Sequence, residues 1–270
     1  MPRGLDHIVH AVRDLDEAVG LYRRAGFQVG ERNVHPRAWG TQNHIVQLSG
    51  TYVELLALAD IADMVPHAPR QFSFGAFNRD FLARGEGLSM LVLQGRGAPD
   101  ADEFRKRGIG DFELFEFERE GRRPDGTAIK LAFALAFASD PLAPETGFFT
   151  SQHRYPENFW NAEFQKHPNG AERVAGVVAV ADDPSRHRDF LLALTGAAAS
   201  RDTEGGFTID LARAQQIEVT TADVFERRYW AAAPDVSAGL RLAAIRFSGP
   251  TFIQGREAAL GAVLVFEPSG

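Results

Sequence analysis

The sequence predicts an α+β fold assembled from repeated strand-helix-strand-strand-strand (βαβββ) modules, and three observations carry that prediction. An apolar run from Leu5 to Val12 is followed directly by a helix signal at Asp14. The same order returns at Val174 to Val180 with Asp183, and the interval from Asp14 to Gly26 nearly equals that from Asp183 to Gly196. Between the two copies lie alternating segments, of which Leu131, Phe133, Leu135 and Phe137 with only alanines on the other face is the clearest.

Leu5 to Val12 is short, rich in Ile and Val, and ended by the polar pair Arg13-Asp14, so it reads as the first strand. Alternation puts His7, Val9 and Ala11 on one face and Ile8, His10 and Val12 on the other, so only one of the two histidines can face a given ligand. Asp14 with Glu17 makes a capping-box-like helix start, Leu15, Ala18, Val19 and Tyr22 recur at helical spacing, and Gly26 ends the helix. Phe27 to Val29 reads as a second short strand, and Gly30 to Gly40 as a loop able to cover a site. Two apolar strands, Asn43 to Leu48 and Thr51 to Leu58, meet at Ser49-Gly50 in a hairpin. After a connecting segment that includes Phe77 to Arg84, the second module has a strand from Gly87 to Leu93 and a helix from Asp100 to Arg107 closed by Gly108. Its remaining strands are Phe112 to Glu118, Lys130 to Ala138, and a last one through Phe148 to His153. The third module has the strand Val174 to Val180, a helix opened by Asp183-Pro184 and closed by Gly196, and a hairpin of Phe207 to Leu211 with Gln215 to Thr220. The fourth has strands Leu240 to Phe247 and Ala258 to Phe266, with too little between them for a full helix. The expected organisation is an N-terminal half, residues 1–170, of two modules and a C-terminal half, residues 171–270, whose last module is degenerate.

Composition narrows the function classes. The 270 residues are 44% hydrophobic and 24% charged, ordinary for a globular chain with a substantial core. A formal charge of -7 and the lack of a Lys/Arg stripe argue against nucleic acid or anionic membrane as partners, while a small anion held by one or two arginines stays compatible. Cysteine is absent, which excludes disulfides, thiolate ligands and a cysteine nucleophile, so a metal would have to use His, carboxylate or water. With no leader and no membrane-length apolar run, the expected location is the cytoplasm. Gly95-Arg96-Gly97 lacks the third glycine of a dinucleotide fingerprint, and phosphate loops, Gly-x-Ser-x-Gly elbows and His-Glu-x-x-His helices are missing.

The stretches Leu5-Asp6-His7-Ile8-Val9, Asn43-His44-Ile45-Val46-Gln47-Leu48, Tyr52-Val53-Glu54-Leu55-Leu56, Gln152-His153-Arg154 and His167-Pro168-Asn169-Gly170-Ala171 resemble the glyoxalase-like domain family of bacterial proteins. That family lies in the vicinal oxygen chelate superfamily, the group of glyoxalase I and the extradiol dioxygenases. The resemblance covers most of the chain and is strongest up to Val180. It implies the glyoxalase/bleomycin resistance/dioxygenase fold, in which paired modules form cupped mixed sheets with flanking helices and metal ligands come from the first and last strands of a module. It places His7 and Glu54 at two such positions. Ser89 stands where a further first-strand histidine would be expected, and Gly176 and Leu242 stand at or near the corresponding places later on. A four-ligand glyoxalase I site is therefore not expected, nor a second site of this kind in the C-terminal half.

A neutral imidazole with a carboxylate is a partial set for one divalent metal, Zn, Fe(II), Mn or Ni. His153 is the chosen third ligand, since Phe149, Ser151 and His153 share a strand face. The alternative for His7 is a half-buried strand histidine bonded to backbone. For Glu54, inside Tyr-Val-Glu-Leu-Leu-Ala-Leu, it is an edge strand in water or an arginine ion pair. His44 depends on the hairpin. If the turn uses only Ser49 and Gly50, Ile45 sits opposite Glu54 and His44 faces away, whereas a longer turn reverses this. His44 and Glu54 are the candidates for proton handling. His10 is expected in an outer-face hydrogen bond, and His35 and His167, each before a proline, in solvated or turn-stabilising roles. Of 21 phenylalanines, 14 fall between Phe72 and Phe164, enough to line a cup as well as a core, and Phe149, Phe159 and Trp160 are the candidates for a substrate pocket. The leading expectation is a metal-dependent lyase, isomerase or dioxygenase whose metal binds two vicinal oxygens of a small, possibly aromatic substrate and stabilises an enediolate or related oxyanion. The competing one is a metal-free binding or sequestration protein of the bleomycin-resistance type. The expected partner is a small molecule, with a homodimer left open.

Overall fold

The computed structural model describes residues 1–122, 126–249 and 255–269. Two mixed sheets divide the chain in order. The first is built from β1 (Leu5–Ala11), β2 (Asn33–Val34), β3 (Thr41–Leu48), β4 (Thr51–Leu58), β5 (Gly87–Gln94), β6 (Phe115–Arg122), β7 (Ala128–Ala138) and β8 (Gly147–His153), with helices α1 (Leu15–Arg24), α2 (Phe74–Arg84), α3 (Ala98–Lys106) and α4 (Pro156–Phe159). The second contains β9 (Arg173–Val180), β10 (Arg201–Thr203), β11 (Gly206–Asp210), β12 (Gln216–Thr220), β13 (Arg241–Gly249), β14 (Gly255–Ala259) and β15 (Ala262–Pro268), with α5 (Arg188–Thr195) and α6 (Ala222–Tyr229).

The strand orders are β2-β3-β4-β1-β5-β8-β7-β6 and β10-β11-β12-β9-β13-β15-β14. Each sheet joins two modules through an antiparallel central pair, β1 with β5 and β9 with β13, flanked by parallel pairs, β1 with β4 and β9 with β12. The sheets pack back to back over one apolar core that includes Leu5, Ile8, Leu91, Phe148, Val177 and Ile245. Their other faces form two cups, the first lined by Val9, Met90, Phe133 and Phe149 and the second by Val178, Phe225 and Val265.

Local chemistry accounts for most elements. Asp14 caps α1 by accepting from the backbone N–H of Asp16 and Glu17, and Gly26 follows the helix at φ 82°, a conformation that favours glycine. The hairpin turn uses only Ser49 and Gly50, since Leu48 pairs with Thr51 and Ile45 with Glu54. On β7 the alternation holds: Leu131, Phe133, Leu135 and Phe137 face the cup, while Ala136 and Ala138 join the core beside Phe104 of α3. The alanines let that helix approach closely.

Four expectations need correction. Phe27 to Val29 is not a strand: the N–H of Phe27 bonds Tyr22 O, and that of Gln28 is taken by the His167 ring, so neither is free for a ladder. The segment Phe77 to Arg84 belongs to α2, capped by the hydroxyl of Ser73, and α6 likewise escaped the periodicity. The strand expected from Phe112 begins only at Phe115. Ala258 to Phe266 breaks into a hairpin at Leu260 and Gly261, both at positive φ, the glycine so close to Glu86 O that a Cβ would meet it at 2.1 Å.

Two bulges set which side chains reach the first cup. Leu5 pairs with Leu93 but His7 with Val92, so Asp6 is an extra residue on β1; further along, Val9 pairs with Met90 and His10 with Leu88, making Ser89 extra on β5. With Leu5 and Ile8 both in the core, Asp6 and His7 are both available to the cup side. His10 is fully buried on the opposite face, where its Nδ1 meets the Tyr22 hydroxyl at 3.0 Å and its Nε2 the Leu260 carbonyl at 3.0 Å, linking the two halves. The carbonyl can only accept, so Nε2 carries the proton and Nδ1 accepts from Tyr22. Burial pushes the pKa of His10 down, outweighing the Leu260 carbonyl and Glu86. The unfolded chain therefore takes a proton that the fold refuses, and stability is lost as pH falls below about 6.5. Urea unfolding at pH 7.5 and pH 5 should show His10→Gln less stable at the higher pH, by about 1–3 kcal/mol, with a smaller loss on acidification than the parent chain; an equal loss in both would refute the assignment.

Candidate functional site

The first cup gathers three histidines and two carboxylates around a cavity of about 50 Å³ walled by His7, His35, Asn43, Tyr52, Glu54 and Arg119. His7 comes from β1, Asn43 from β3, Tyr52 and Glu54 from β4, and Arg119 from β6. Parallel pairing aligns His7 with Tyr52 and Val9 with Glu54, which brings residues forty-five positions apart side by side.

Asp6 organises the imidazoles. Its Oδ1 lies 2.7 Å from His7 Nδ1, and His153 Nε2 approaches Oδ2 at 3.1 Å. Burial alone would raise the Asp6 pKa, but His153 and His7 together hold its carboxyl below the usual carboxylate range. An ionised carboxylate only accepts, so His7 must carry its proton on Nδ1 and His153 must donate from Nε2. In its neutral form His7 therefore presents a bare Nε2 lone pair to the cavity. The ring is fixed in plane by Tyr52, stacked at 4.3 Å with an interplanar angle of 12°, and by Phe149 edge-on at 5.6 Å.

Facing that nitrogen is Glu54, whose Oε2 is 3.7 Å from His7 Nε2. Oε1 accepts from Asn43 Nδ2 at 2.5 Å and lies 3.7 Å from His35 Nε2. His35 Nδ1 bonds Thr41 Oγ1 at 2.8 Å, while its Nε2 lies 3.1 Å from Asn43 Nδ2. Burial lowers the His35 pKa and Arg119 adds to that effect, whereas Glu54 opposes it. Burial also raises the Tyr52 phenol well above its ordinary value, helped by the Asp6 and Glu54 charges. The hydroxyl stays protonated and able to donate.

The expected site residues are placed as follows. His7 and Glu54 face each other across the cavity. His153 joins the same cluster but spends its Nε2 on Asp6, and its buried Nδ1 has no hydrogen-bond partner. Among the described residues, no three His, Asp or Glu groups converge so as to hold a metal ion. His44 is turned away from Glu54, with Nδ1 on Gly30 O at 2.7 Å, so the proton-handling role expected of it is corrected by strand parity. Phe149 and Phe159 line the cavity, and Trp160 stacks on His153 at 5.7 Å. His35 corrects the opposite way, since the loop carries it into the cluster instead of solvent, while His167 pins Gln28 N and Gln47 O. Sequence reasoning missed Asp6, Asn43, Tyr52 and Arg119. Tyr52 and Asn43 had a signal, because each shares its strand face with an expected inward residue; Asp6 was hidden by its bulge.

A second, apolar cavity of about 270 Å³ adjoins the first, bounded by Phe72, Phe115, Phe137 and Val65. Trp39 and Phe74 belong to both walls and, with ring centroids 5.0 Å apart, form the partition.

The donor set can be tested for a metal from this geometry. With His7 neutral and Glu54 ionised, a nitrogen lone pair and a carboxylate oxygen 3.7 Å apart repel unless a cation or a proton lies between them. A carboxylate behind a ligating histidine, the place Asp6 occupies, is the usual outer-shell support. The His7 and Glu54 pair fits two positions on a divalent cation, with open positions left for water or substrate. Substituting Asp6→Asn should cost about 1–3 kcal/mol and release the His7 tautomer. Nitrogen-15 imidazole shifts would record the change, and an unaltered His7 spectrum would show that Asp6 does not orient it.

Residues 5–195 match the family model described as Glyoxalase-like domain. Among solved structures the chain is similar to a hypothetical protein from Staphylococcus aureus, at 13% identity, 99% of this chain, 100% of that one and a TM-score of 0.73. It is also similar to a mutant of 4-hydroxymandelate synthase from Streptomyces coelicolor, at 12% identity, 92% of this chain, 71% of that one and a TM-score of 0.51. At these identities the likeness shows a shared fold, with the cupped mixed sheets and flanking helices described above. No curated protein matches the sequence. No helix among the described residues is long and apolar enough to cross a membrane.

Proposed function

The chain belongs to the glyoxalase-like domain family, and from that premise we propose that it is a metal-dependent enzyme of the vicinal oxygen chelate type, a lyase, isomerase or dioxygenase acting on a small substrate with an apolar portion. The observation that carries this reading is His7 Nε2, left to the cavity by the Asp6 contact on Nδ1, facing Glu54 Oε2 at 3.7 Å, a pair of donors able to share a cation. A divalent metal held by His7 and Glu54 would supply Lewis-acid polarisation of substrate oxygens.

The chain's own residues supply the rest. Asp6 keeps the His7 ring in the ligating tautomer, and His153 behind Asp6 holds that carboxylate in place. Glu54, once substrate displaces it as a ligand, is the group that would take a proton from substrate, at Oε2, and Asn43 on Oε1 fixes the carboxylate plane. His35, 3.7 Å from Oε1 and kept neutral by burial, is placed to relay that proton outward. The aromatic wall of Phe149, Phe159 and Phe133 excludes water from the reacting atoms.

Metal analysis and thermal shift test the proposal together. Protein purified without chelator should take up one divalent ion per chain, and saturation at 100-fold over Kd should add about 2.7 kcal/mol of stability. His7→Ala and Glu54→Gln should abolish the shift, whereas His44→Ala should retain it. Failure of Zn, Fe(II), Mn and Ni all to bind would refute the metal reading and leave the cup to a metal-free sequestration role.

A further inference from the structure

Arg119 is the side chain that the metal reading leaves without a task. It stands on β6, aligned with Leu131 of β7, and its guanidinium lines the cavity beside Tyr52 and Glu54. The neighbouring Glu54 charge is felt: burial pulls the Arg119 pKa down, while Glu54 pulls it back up. An arginine keeps its charge under such conditions and offers five donors in a planar fork.

Most buried or half-buried arginines of this chain spend that fork internally. Arg3 binds Asp100 and Glu103, Arg241 binds Glu145, and Arg246 grips both oxygens of Glu267. Arg119 has neither a hydrogen bond nor an ion pair among the described residues, and Glu54 does not come within 4 Å of it. The Tyr52 hydroxyl, held protonated, also makes no hydrogen bond among the described residues. A half-buried cation and a phenol donor thus border one small space with their hydrogens uncommitted. Beyond the Trp39 and Phe74 partition lies the apolar chamber of about 270 Å³, to whose wall Phe72, Phe115 and Phe137 add three further rings.

We propose that the site takes an amphipathic carboxylic acid, its carboxylate held in the cavity by the Arg119 fork and the Tyr52 hydroxyl, its aryl or alkyl tail passing Trp39 and Phe74 into the apolar chamber. The proposal rests on the first cup being the substrate site and names the substrate class for it. A charged head with bidentate recognition and a buried apolar tail is a combination that a neutral analogue of the same shape cannot reproduce. Ligand length is set by the second chamber, because the first has room for little beyond the head group.

The test uses the whole chain treated with EDTA, so that it reads acid binding without any metal and fails or succeeds independently of metal uptake. Benzoate, 3-phenylpropionate and 5-phenylpentanoate are titrated by calorimetry beside their primary amides. Affinity should rise along the acid series, and the best acid should bind at least about tenfold tighter than its amide, the effect of one charge-assisted contact of 1.4 kcal/mol or more. Arg119→Gln should erase the difference between acid and amide, and Arg119→Lys should restore part of it. Trp39→Ala should flatten the dependence on tail length. Equal binding of acid and amide, discrimination that survives Arg119→Gln, or no binding by any acid would overturn the proposal and make Arg119 a distant counter-charge to Glu54.

Discussion

A single buried carboxylate that accepts from two imidazoles governs the first cup. Asp6 is almost wholly inaccessible, and a bare charge there would be strongly unfavourable without partners. Two N–H donors compensate it, and in doing so they lose their freedom of tautomer. His7 is compelled to offer Nε2 forward, and His153 is turned back toward β1. The electronic character of the cavity is thus decided one residue away from the group that would do the chemistry. Glu54 Oε2 faces that ring at 3.7 Å, and burial holds down the pKa of His35 beside it.

The bulge makes this possible. A regular strand would send Asp6 into the core between the sheets and His7 alone into the cup. One extra residue on β1 keeps Leu5 and Ile8 in the core and frees two consecutive polar side chains to meet on the other side. The same irregularity limited what the sequence could disclose. Strict alternation correctly separated His7 from His10 and, through the two-residue turn at Ser49 and Gly50, turned His44 away. It could not place Asp6, because nothing in Leu-Asp-His-Ile-Val marks where an extra residue is inserted. The repeat of strand, helix and hairpin was legible since Asp14, Gly26, Asp183 and Gly196 punctuate it with capping chemistry. Helix α2 was not, because Phe72, Phe74 and Phe77 are set by contacts to a cup that only forms in three dimensions. His35 was lost for the same reason: a loop histidine before proline looks solvated until Trp39 and Phe74 close over it.

The second sheet offers a comparison within the same molecule. Glu218 on β12 is aligned with Val178 of β9 as Glu54 is aligned with Val9, so each sheet carries a buried carboxylate at the same station. Their surroundings diverge at the neighbouring pair. His7 opposite Tyr52 becomes Gly176 opposite Gln216, and there a Cβ would meet the Gln216 carbonyl at 2.5 Å, leaving no space for an imidazole. In place of a lone pair, Glu218 finds Arg228 in a direct ion pair and the Tyr229 hydroxyl at 3.5 Å. The chain can therefore neutralise a carboxylate at this station with its own arginine when no ligand is required. In the first sheet it does not: Arg119 is near enough to feel Glu54 yet stays outside ion-pair distance, and His7 turns Nε2 toward the acid at 3.7 Å. Keeping acid, base and cation apart around one small cavity is what a site for an external ion and an external anion needs.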